Sequence, residues 1–423
     1  MNVTALQRID RWVGVPVCFV LTWLREVIGD SIPRAGTPIR KLLFIKLAEQ
    51  GSTVLACPAI REAIRKVGRE QVYFVVFEDN RFILDVMGLV PEENVITISF
   101  ESLPAMVRSA WLALGRLRRL KLDAAIDLEF FTRGSAALTY LTGARRRVGF
   151  HPFFGAGPYR GNLMTHRLLY NPRLHTAQTF QLMVQALDQD PATLPTMDLL
   201  PPAAQEPPPQ FMPRAEEVEA VREMLVAALP ASPRAGGRPG DDYWGLILLN
   251  PNASDLLPLR RWPSDRYVQL ARRLLTRYPN TAIVFTGAPA EAATSAQLAQ
   301  EVEAERCVSL AGKTTLRQLL VLFTLADVLV TNDSGPAHFA TLTPIRVVTL
   351  FGPETPALYE ARSPRNVPLW AGIACSPCVN AYNNRQSPCR NNLCMQALTL
   401  DEVFEEVCRA CDQQASARTA RTA

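Results

Sequence analysis

From residue 41 the chain repeats one arrangement of apolar and polar positions. An unbroken apolar run, "KLLFIKL" (41–47), leads into "STVLACPAIREAIRKV", where apolar residues return every three or four positions. The first pattern predicts a strand buried on both faces, and the second a helix with one apolar side. "VYFVVF", "VITI", "AAIDL" and "RVGF" repeat the strand signal, separated by helical stretches such as "LPAMVRSAWLALGRLRRL". This alternation predicts a parallel sheet covered by helices on both faces.

Proline then becomes dense, in "LLPPAAQEPPPQFMP" and in "PASPRAGGRPGDD", on either side of a short acidic helix, "RAEEVEAVREMLVAAL". Such segments predict an interdomain connection. A second alternating set follows: "WGLILLN", a helix from Ser264, "AIVFTG", a helix around Glu291, "CVSLAG", a helix from Leu316, "VLVTN", a helix opened by Pro336, and "VVTLFG". Two Rossmann-like domains in tandem are therefore expected. The boundaries fall at 1–36 for an amphipathic N-terminal segment, 37–200 for the first domain and 201–243 for the linker with its short helix. The second domain takes 244–400, and 401–423 forms a last helix running into a polar, small-residue tail expected to be disordered. A length of 423 residues agrees with two cores rather than one.

Ligands of doubly wound sheets collect beyond the C-terminal ends of the strands. In the second domain every candidate lies there. "NPNASDLLPLRRWPSDRY" follows the first strand, and its Arg260 and Arg261 either neutralise a diphosphate or are surface arginines. "FTGAPAE" brings the Gly287 turn and Glu291, an acid favoured in a first helical turn by the helix dipole and also suited to a ribose or base. "LAGKTTLRQLL" supplies Lys313 with Thr314 or Thr315 as a cap; its spacing is not that of a GxxxxGK phosphate loop. In "TNDSGPAHFA", Asp333 or Ser334 is placed to cap a helix, and Gly335 lets a phosphate approach backbone N–H groups. His338 is either part of this loop or an ordinary helix histidine.

Composition narrows the partners. With 48% apolar and 20% charged residues the chain is globular, and its formal charge of +5 fits anionic small molecules or a membrane surface. Nucleic acid is not expected, because no basic stripe is interleaved with aromatics. The densest basic run, Arg145-Arg146-Arg147, reads as a solvated turn. No apolar run is long enough to span a bilayer as a helix. "RWVGVPVCFVLTWLR" comes closest but is broken by Gly14 and Pro16, and Asp10 precedes it, unlike a signal peptide. Residues 10–28 are expected either to lie on a membrane surface with Trp12 and Trp23 at headgroup level, or to pack on the protein body. Nine cysteines, an odd number without a secretion signal, suit a reducing cytoplasm. Cys18, Cys57 and Cys307 read as single buried thiols. Cys375, Cys378, Cys389 and Cys394 have ligand types and spacing for a structural zinc knuckle, with free loop thiols or a labile disulfide as alternatives.

The stretch "RRWPSDRYVQLARRL…IVFTG…SLAGKTTLRQLLVLFTLADVLVTNDSGPAHFATL…VVTLFGPETP" resembles the C-terminal domain of the family-9 glycosyltransferases, the ADP-heptose:lipopolysaccharide heptosyltransferases and their relatives. The likeness is strong over about 244–360 and weaker at "KLAEQGSTVLACPAIREAI" and "AIDLEFFTRGSAALTYLTGARRRVGF". It implies a GT-B fold, two Rossmann-like domains facing across a cleft, with an inverting mechanism and no catalytic cofactor or metal. A nucleotide-diphosphate sugar (heptose or a related sugar) would lie on the second domain and a saccharide or lipid-linked acceptor on the first. By position, Arg260 or Arg261 matches the basic residue on the diphosphate, Glu291 the acid that holds the nucleoside, and Asp333, Ser334, Gly335 and His338 the loop around diphosphate and sugar. The family's first loop reads Ser-x-Gly-Asp, its Asp the proposed base; here Ser52 takes that place, and Glu49, three residues earlier, is the substitute, with Asp127 or Glu129 as alternatives. The expectation is a cytoplasmic enzyme, peripheral at the inner membrane face. A non-catalytic nucleotide-sugar-binding module and a GT-B sugar-nucleotide epimerase are the alternatives.

Overall fold

The computed structural model describes residues 3–152, 158–196, 207–229, 245–253 and 257–422, and they form two units. The first comprises residues 1–207 together with Asn380–Arg385, and the second the remainder from Pro208. The expected boundaries at 200/201 and 243/244, and residues 201–206 and 230–243 of the linker, lie outside the described residues.

The first unit opens with α1 (Val3–Trp12) and α2 (Gly14–Ile28). Asp10 joins α1 to a later helix by accepting from the backbone N–H groups of Arg133 (2.9 Å) and Gly134 (2.8 Å). Then come β1 (Leu42–Ile45), α3 (Gln50–Leu55), α4 (Cys57–Val67), β2 (Val72–Phe77), α5 (Arg81–Met87), β3 (Val95–Ile98), α6 (Leu103–Leu120), β4 (Ala124–Asp127), α7 (Arg133–Leu141), β5 (Arg146–Phe150), β6 (His166–Leu168) and α8 (Thr176–Gln185). The strands are parallel in the order β3-β2-β1-β4-β5-β6. Every residue of β1, β2, β4 and β5 is buried, as the apolar runs of β1 and β2 require; β4 and β5 also bury Asp127, Arg146 and Arg147.

The second unit contains α9 (Ala215–Ala228), β7 (Gly245–Asn250), α10 (Ser264–Arg277), β8 (Thr281–Phe285), α11 (Ala292–Glu301), β9 (Cys307–Ser309), α12 (Leu316–Leu325), β10 (Val328–Asn332), α13 (Gly335–Ala340), β11 (Arg346–Phe351), α14 (Pro356–Tyr359), β12 (Asn366–Trp370), α15 (Leu393–Gln396) and α16 (Leu400–Thr422). Its strands are also parallel, in the order β12-β11-β10-β7-β8-β9. A core of Ile247, Leu249, Trp262, Leu270, Ile283, Phe285, Val330 and Leu350 is closed by Val403, Val407 and Ala410 of α16.

Three expectations are corrected. Arg146 and Arg147 are buried in β5 rather than solvated: Arg146 donates to the carbonyls of Arg34 and Thr37, and Arg147 pairs with Asp30 at 2.7 Å. The acidic helix is no part of a free linker, because α9 packs on α12 and Phe211 N–H donates to Leu342 O at 2.7 Å. The C-terminal tail is helical through Thr422, as its alanines, glutamines and arginines favour, and Arg346 bonds Gln413 from below at 2.7 Å.

Candidate functional site

In the second unit the sheet order reverses between β7 and β10, which leaves a crevice at the ends of these two strands. Asn332, the last residue of β10 and fully buried, ties the crevice together. Its Nδ2 donates to the carbonyls of Pro251 (2.9 Å) and Asn252 (3.1 Å). Its Oδ1 accepts from Trp262 N–H (3.1 Å) and Tyr267 Oη (3.2 Å). Towards β8, Asn252 Nδ2 donates to Thr286 O at 3.2 Å, and Gly312 N–H donates to Gly287 O at 2.9 Å. All the loops at this sheet edge are thereby laced into one rim.

The expected residues take distinct places on that rim. Gly287 is needed for close approach: a Cβ there would stand 2.6 Å from Asn252 Nδ2 and 3.0 Å from Glu291 Oε2. Glu291 Oε2 accepts from Ala288 N–H at 2.7 Å, so its carboxylate closes the turn before α11. Lys313 is exposed on the turn after β9, and Thr315, not Thr314, caps α12 by accepting from Gln318 N–H at 3.2 Å. Ser334 stands at the N-cap position of α13 without capping it: its Oγ donates to Asn332 O at 3.0 Å. Gly335 opens α13, and His338 is buried within it.

The two arginines part company. Arg260 is nearly buried: its Nη1 donates to Asp333 O (2.9 Å) and lies 3.3 Å from Glu354 Oε2 and 3.6 Å from Asp333 Oδ2. One cation between two buried carboxylates holds the β7, β10 and β11 loops in register but brings no net positive charge. Arg261 is exposed and its Nη2 donates to Ala253 O at 2.9 Å. Sequence reasoning missed Asn332 and Glu354. Their signal was a polar residue closing an apolar strand and an acid directly after the Gly-Pro turn.

The first unit gathers three carboxylates beyond β1 and β4. Asp127 is fully buried; Ser135 Oγ donates to it at 2.9 Å and Arg160 pairs with it. Burial pushes its carboxyl up, to about 6, against the opposing pull of Arg160 and Ser135. Glu129 is buried and accepts from Leu47 N–H (2.7 Å), Ala48 N–H (2.9 Å) and Lys46 Nζ (3.0 Å), fixing the loop after β1. Glu49 differs: it precedes α3 in a left-handed conformation (φ 65°), with its side chain 36% exposed. Lys46 Nζ stands 3.5 Å from its Oε2, and Arg385, from the segment that belongs to this unit, pairs with its Oε1. Ser52 Oγ donates to Glu49 O at 2.9 Å. The same segment is anchored by Tyr382, which stacks on Phe131 at 5.6 Å and donates to Tyr170 O at 2.7 Å.

All nine cysteines are free thiols. Cys394 is buried, which pushes its thiol up to about 11, while Cys375 and Cys389 are exposed. Among the described residues no group of three or more His, Cys, Asp or Glu side chains is placed to hold a metal ion.

Two doubly wound units, each a parallel sheet covered by helices, form the GT-B fold. The model of glycosyltransferase family 9 (heptosyltransferase) matches residues 111–387, and the chain belongs to this family. It is similar to lipooligosaccharide heptosyltransferase 2 of Campylobacter jejuni, with 28% identity over 165 residues, 38% of this chain and 50% of that protein. The chain thus spans about half the length of the curated relatives it matches. Its fold is that of the Escherichia coli ADP-heptose lipopolysaccharide heptosyltransferase II, at TM-score 0.65 and 19% identity over 88% of this chain and 99% of that one. The E. coli heptosyltransferase WaaC with ADP-2-deoxy-2-fluoro heptose has the same fold, at TM-score 0.57 and 17% identity over 87% of this chain and 98% of that one.

Proposed function

We propose that this protein transfers a heptose or related sugar from a nucleoside-diphosphate sugar to a hydroxyl of a saccharide or lipid-linked acceptor, with inversion and without a metal ion. The observation that carries the reading is the laced rim at the β7–β10 switch point, in a chain of glycosyltransferase family 9. Solved relatives with this fold are named for ADP-heptose or hold an analogue of it, which supports a nucleotide-sugar donor.

In the reaction the acceptor oxygen attacks the anomeric carbon, and the bond from that carbon to the diphosphate oxygen breaks. The electron pair leaves with the diphosphate. Arg261 and the backbone N–H groups around Gly335 stabilise that charge, with Arg260, Asp333 and Glu354 holding the loops in place. Glu291 and Gly287 take the nucleoside, Lys313 the outer phosphate, and Ser334 and His338 the sugar side. The hydroxyl proton passes to Glu49, a role supported by its exposure: Asp127 and Glu129 are buried and engaged in holding the fold.

The enzyme works in the cytoplasm at the inner membrane face, with residues 10–28 in peripheral contact with lipid. Exposed Trp12, Phe19 and Trp23 support that contact, and no helix among the described residues is long and apolar enough to cross a membrane. A second reading, a nucleotide-sugar-binding module without turnover, is favoured by Ser52 in the place of the family's acid. The test incubates the protein with ADP-heptose and a heptose-deficient lipopolysaccharide acceptor, with and without EDTA. Product formed equally in both supports the proposal. Nucleotide binding without product selects the second reading, and activity lost to EDTA and restored by Mg²⁺ overturns metal independence.

A further inference from the structure

We propose that α6 is a second lipid-binding element that works with α2 to dock one face of the first unit on an anionic bilayer surface. The proposal rests on the lipid contact of α2 proposed above and adds a separate helix to it.

The helix has two apolar sides. Ala113, Leu114 and Leu117 are buried against the sheet, as in any crossover helix. Leu103, Val107, Trp111 and Leu112 form a second, outward stripe at helical spacing, with Trp111 75% exposed. Single exposed apolar residues are ordinary, whereas a contiguous stripe marks an interaction surface.

Charge identifies the occupant. Every ionisable residue from Leu103 to Lys121 is basic: Arg108, Arg116, Arg118, Arg119 and Lys121. Arg116, Arg118 (2.8 Å) and Arg119 (3.2 Å) lean on the backbone carbonyls of Glu93, Leu141 and Gly115, so their bonds leave the charge unneutralised. An apolar stripe with aromatic residues and an all-basic flank suits the boundary between acyl chains and anionic headgroups.

Topology places α2 on the same side. The crossovers β3–α6–β4 and β4–α7–β5 traverse the sheet in the same direction, so right-handedness puts α6 and α7 on one face. The α2 helix packs on α7 through Cys18, and leaves Phe19, Val20, Trp23 and Val27 exposed. Arg118 of α6 and Asp30, just beyond α2, line one cavity with Tyr140 of α7. The two apolar stripes therefore border the same helix.

The test is flotation of the full-length protein with vesicles of phosphatidylcholine alone or mixed with phosphatidylglycerol, read also by tryptophan fluorescence. Binding is expected to the mixed vesicles, with a blue shift. Trp111→Ala with Leu112→Ala should lower partitioning at least about tenfold without changing the melting temperature, as these side chains are exposed. Arg108→Glu with Arg119→Glu should remove the preference for phosphatidylglycerol. If Phe19→Ala with Trp23→Ala releases the protein but the α6 variants bind as the wild type does, α6 takes no part and the α2 contact stands. A wild type that floats with neither vesicle overturns both contacts. Concentration-dependent self-association, seen by ultracentrifugation and lost in Trp111→Ala, would mean that the stripe meets a second copy instead.

Discussion

Glu49 and Arg261 carry opposite halves of the proposed reaction, and each can be tested by one substitution. Glu49→Gln keeps the shape of the side chain but removes its charge and the proton acceptor. Turnover should fall by roughly 10²–10⁴, with nucleoside diphosphate affinity unchanged. Ser52→Ala should leave turnover near normal, since the hydroxyl only donates to Glu49. Near-normal turnover of Glu49→Gln would move the proton transfer elsewhere. On the donor side, Arg261→Ala should weaken nucleoside diphosphate much more than nucleoside. Arg260→Ala should act on the fold first, because it takes the cation from two buried carboxylates, at a cost on the order of 3 kcal/mol. Equal losses of both ligands in Arg261→Ala would mean that it does not touch phosphate. At this scale the sequence placed the candidates on loops that the structure gathers at one sheet edge, but did not reveal the division of labour within them. Two adjacent arginines look alike in a string, and only the fold sets Arg260 between Asp333 and Glu354. Asn332 was invisible for a related reason: its four partners, Pro251, Asn252, Trp262 and Tyr267, lie 65 to 81 positions earlier in the chain.

At the scale of elements, periodicity served wherever a segment is buried on a defined face. The inner strands β2, β10 and β11 are largely apolar runs rich in β-branched residues and were legible as such. Two edge strands, β6 and β12, were not. In β6, "HRL", the middle residue is exposed, and β12, "NVPLW", contains a proline that is tolerated because it pairs on one side only, with β11. The helix α9 was legible as a helix, but its attachment was not, because that depends on one distant pair. Arg317 on α12 holds Glu217 with two hydrogen bonds, one of 3.0 Å, and stacks over Phe211 at 5.2 Å. The Arg317 bond, then the Arg214 N–H, lower the Glu217 carboxyl from its ordinary 4.5 to about 2. A carboxylate lowered on folding stabilises above its unfolded value and loses that contribution as pH falls through the folded one. The melting advantage of the wild type over Glu217→Gln should therefore be full above pH 4.5 and vanish towards pH 2. A difference that stays constant across that range would show that the pair does not hold α9.

For the whole molecule, the boundary of the second unit decides which piece can fold alone. Reading the proline-rich stretch as a linker places that boundary near 244, whereas the packing starts the unit at Pro208. The difference is α9 together with Phe211, whose N–H bonds Leu342 O and whose ring receives Arg317. At the other end α16 contributes Val403, Val407 and Ala410 to the core beneath β7, β10 and β11. A fragment of residues 245–400 lacks both and exposes that core, so it is expected to aggregate. Residues 208–423 keep both, and lose the seat of Asn380–Arg385 on Phe131 and Tyr170. This longer fragment should fold and bind a nucleoside diphosphate, because the rim from Asn252 to Glu354 lies wholly within it. A thermal-shift titration reads the result directly: ligand at a hundred times its dissociation constant adds about 2.7 kcal/mol of stability. Shifts in this fragment that match the full chain would put the donor site in the second unit. A shift found only in a fragment of residues 1–207 would place the donor on the other unit and reverse the proposed roles of Arg261 and Glu49.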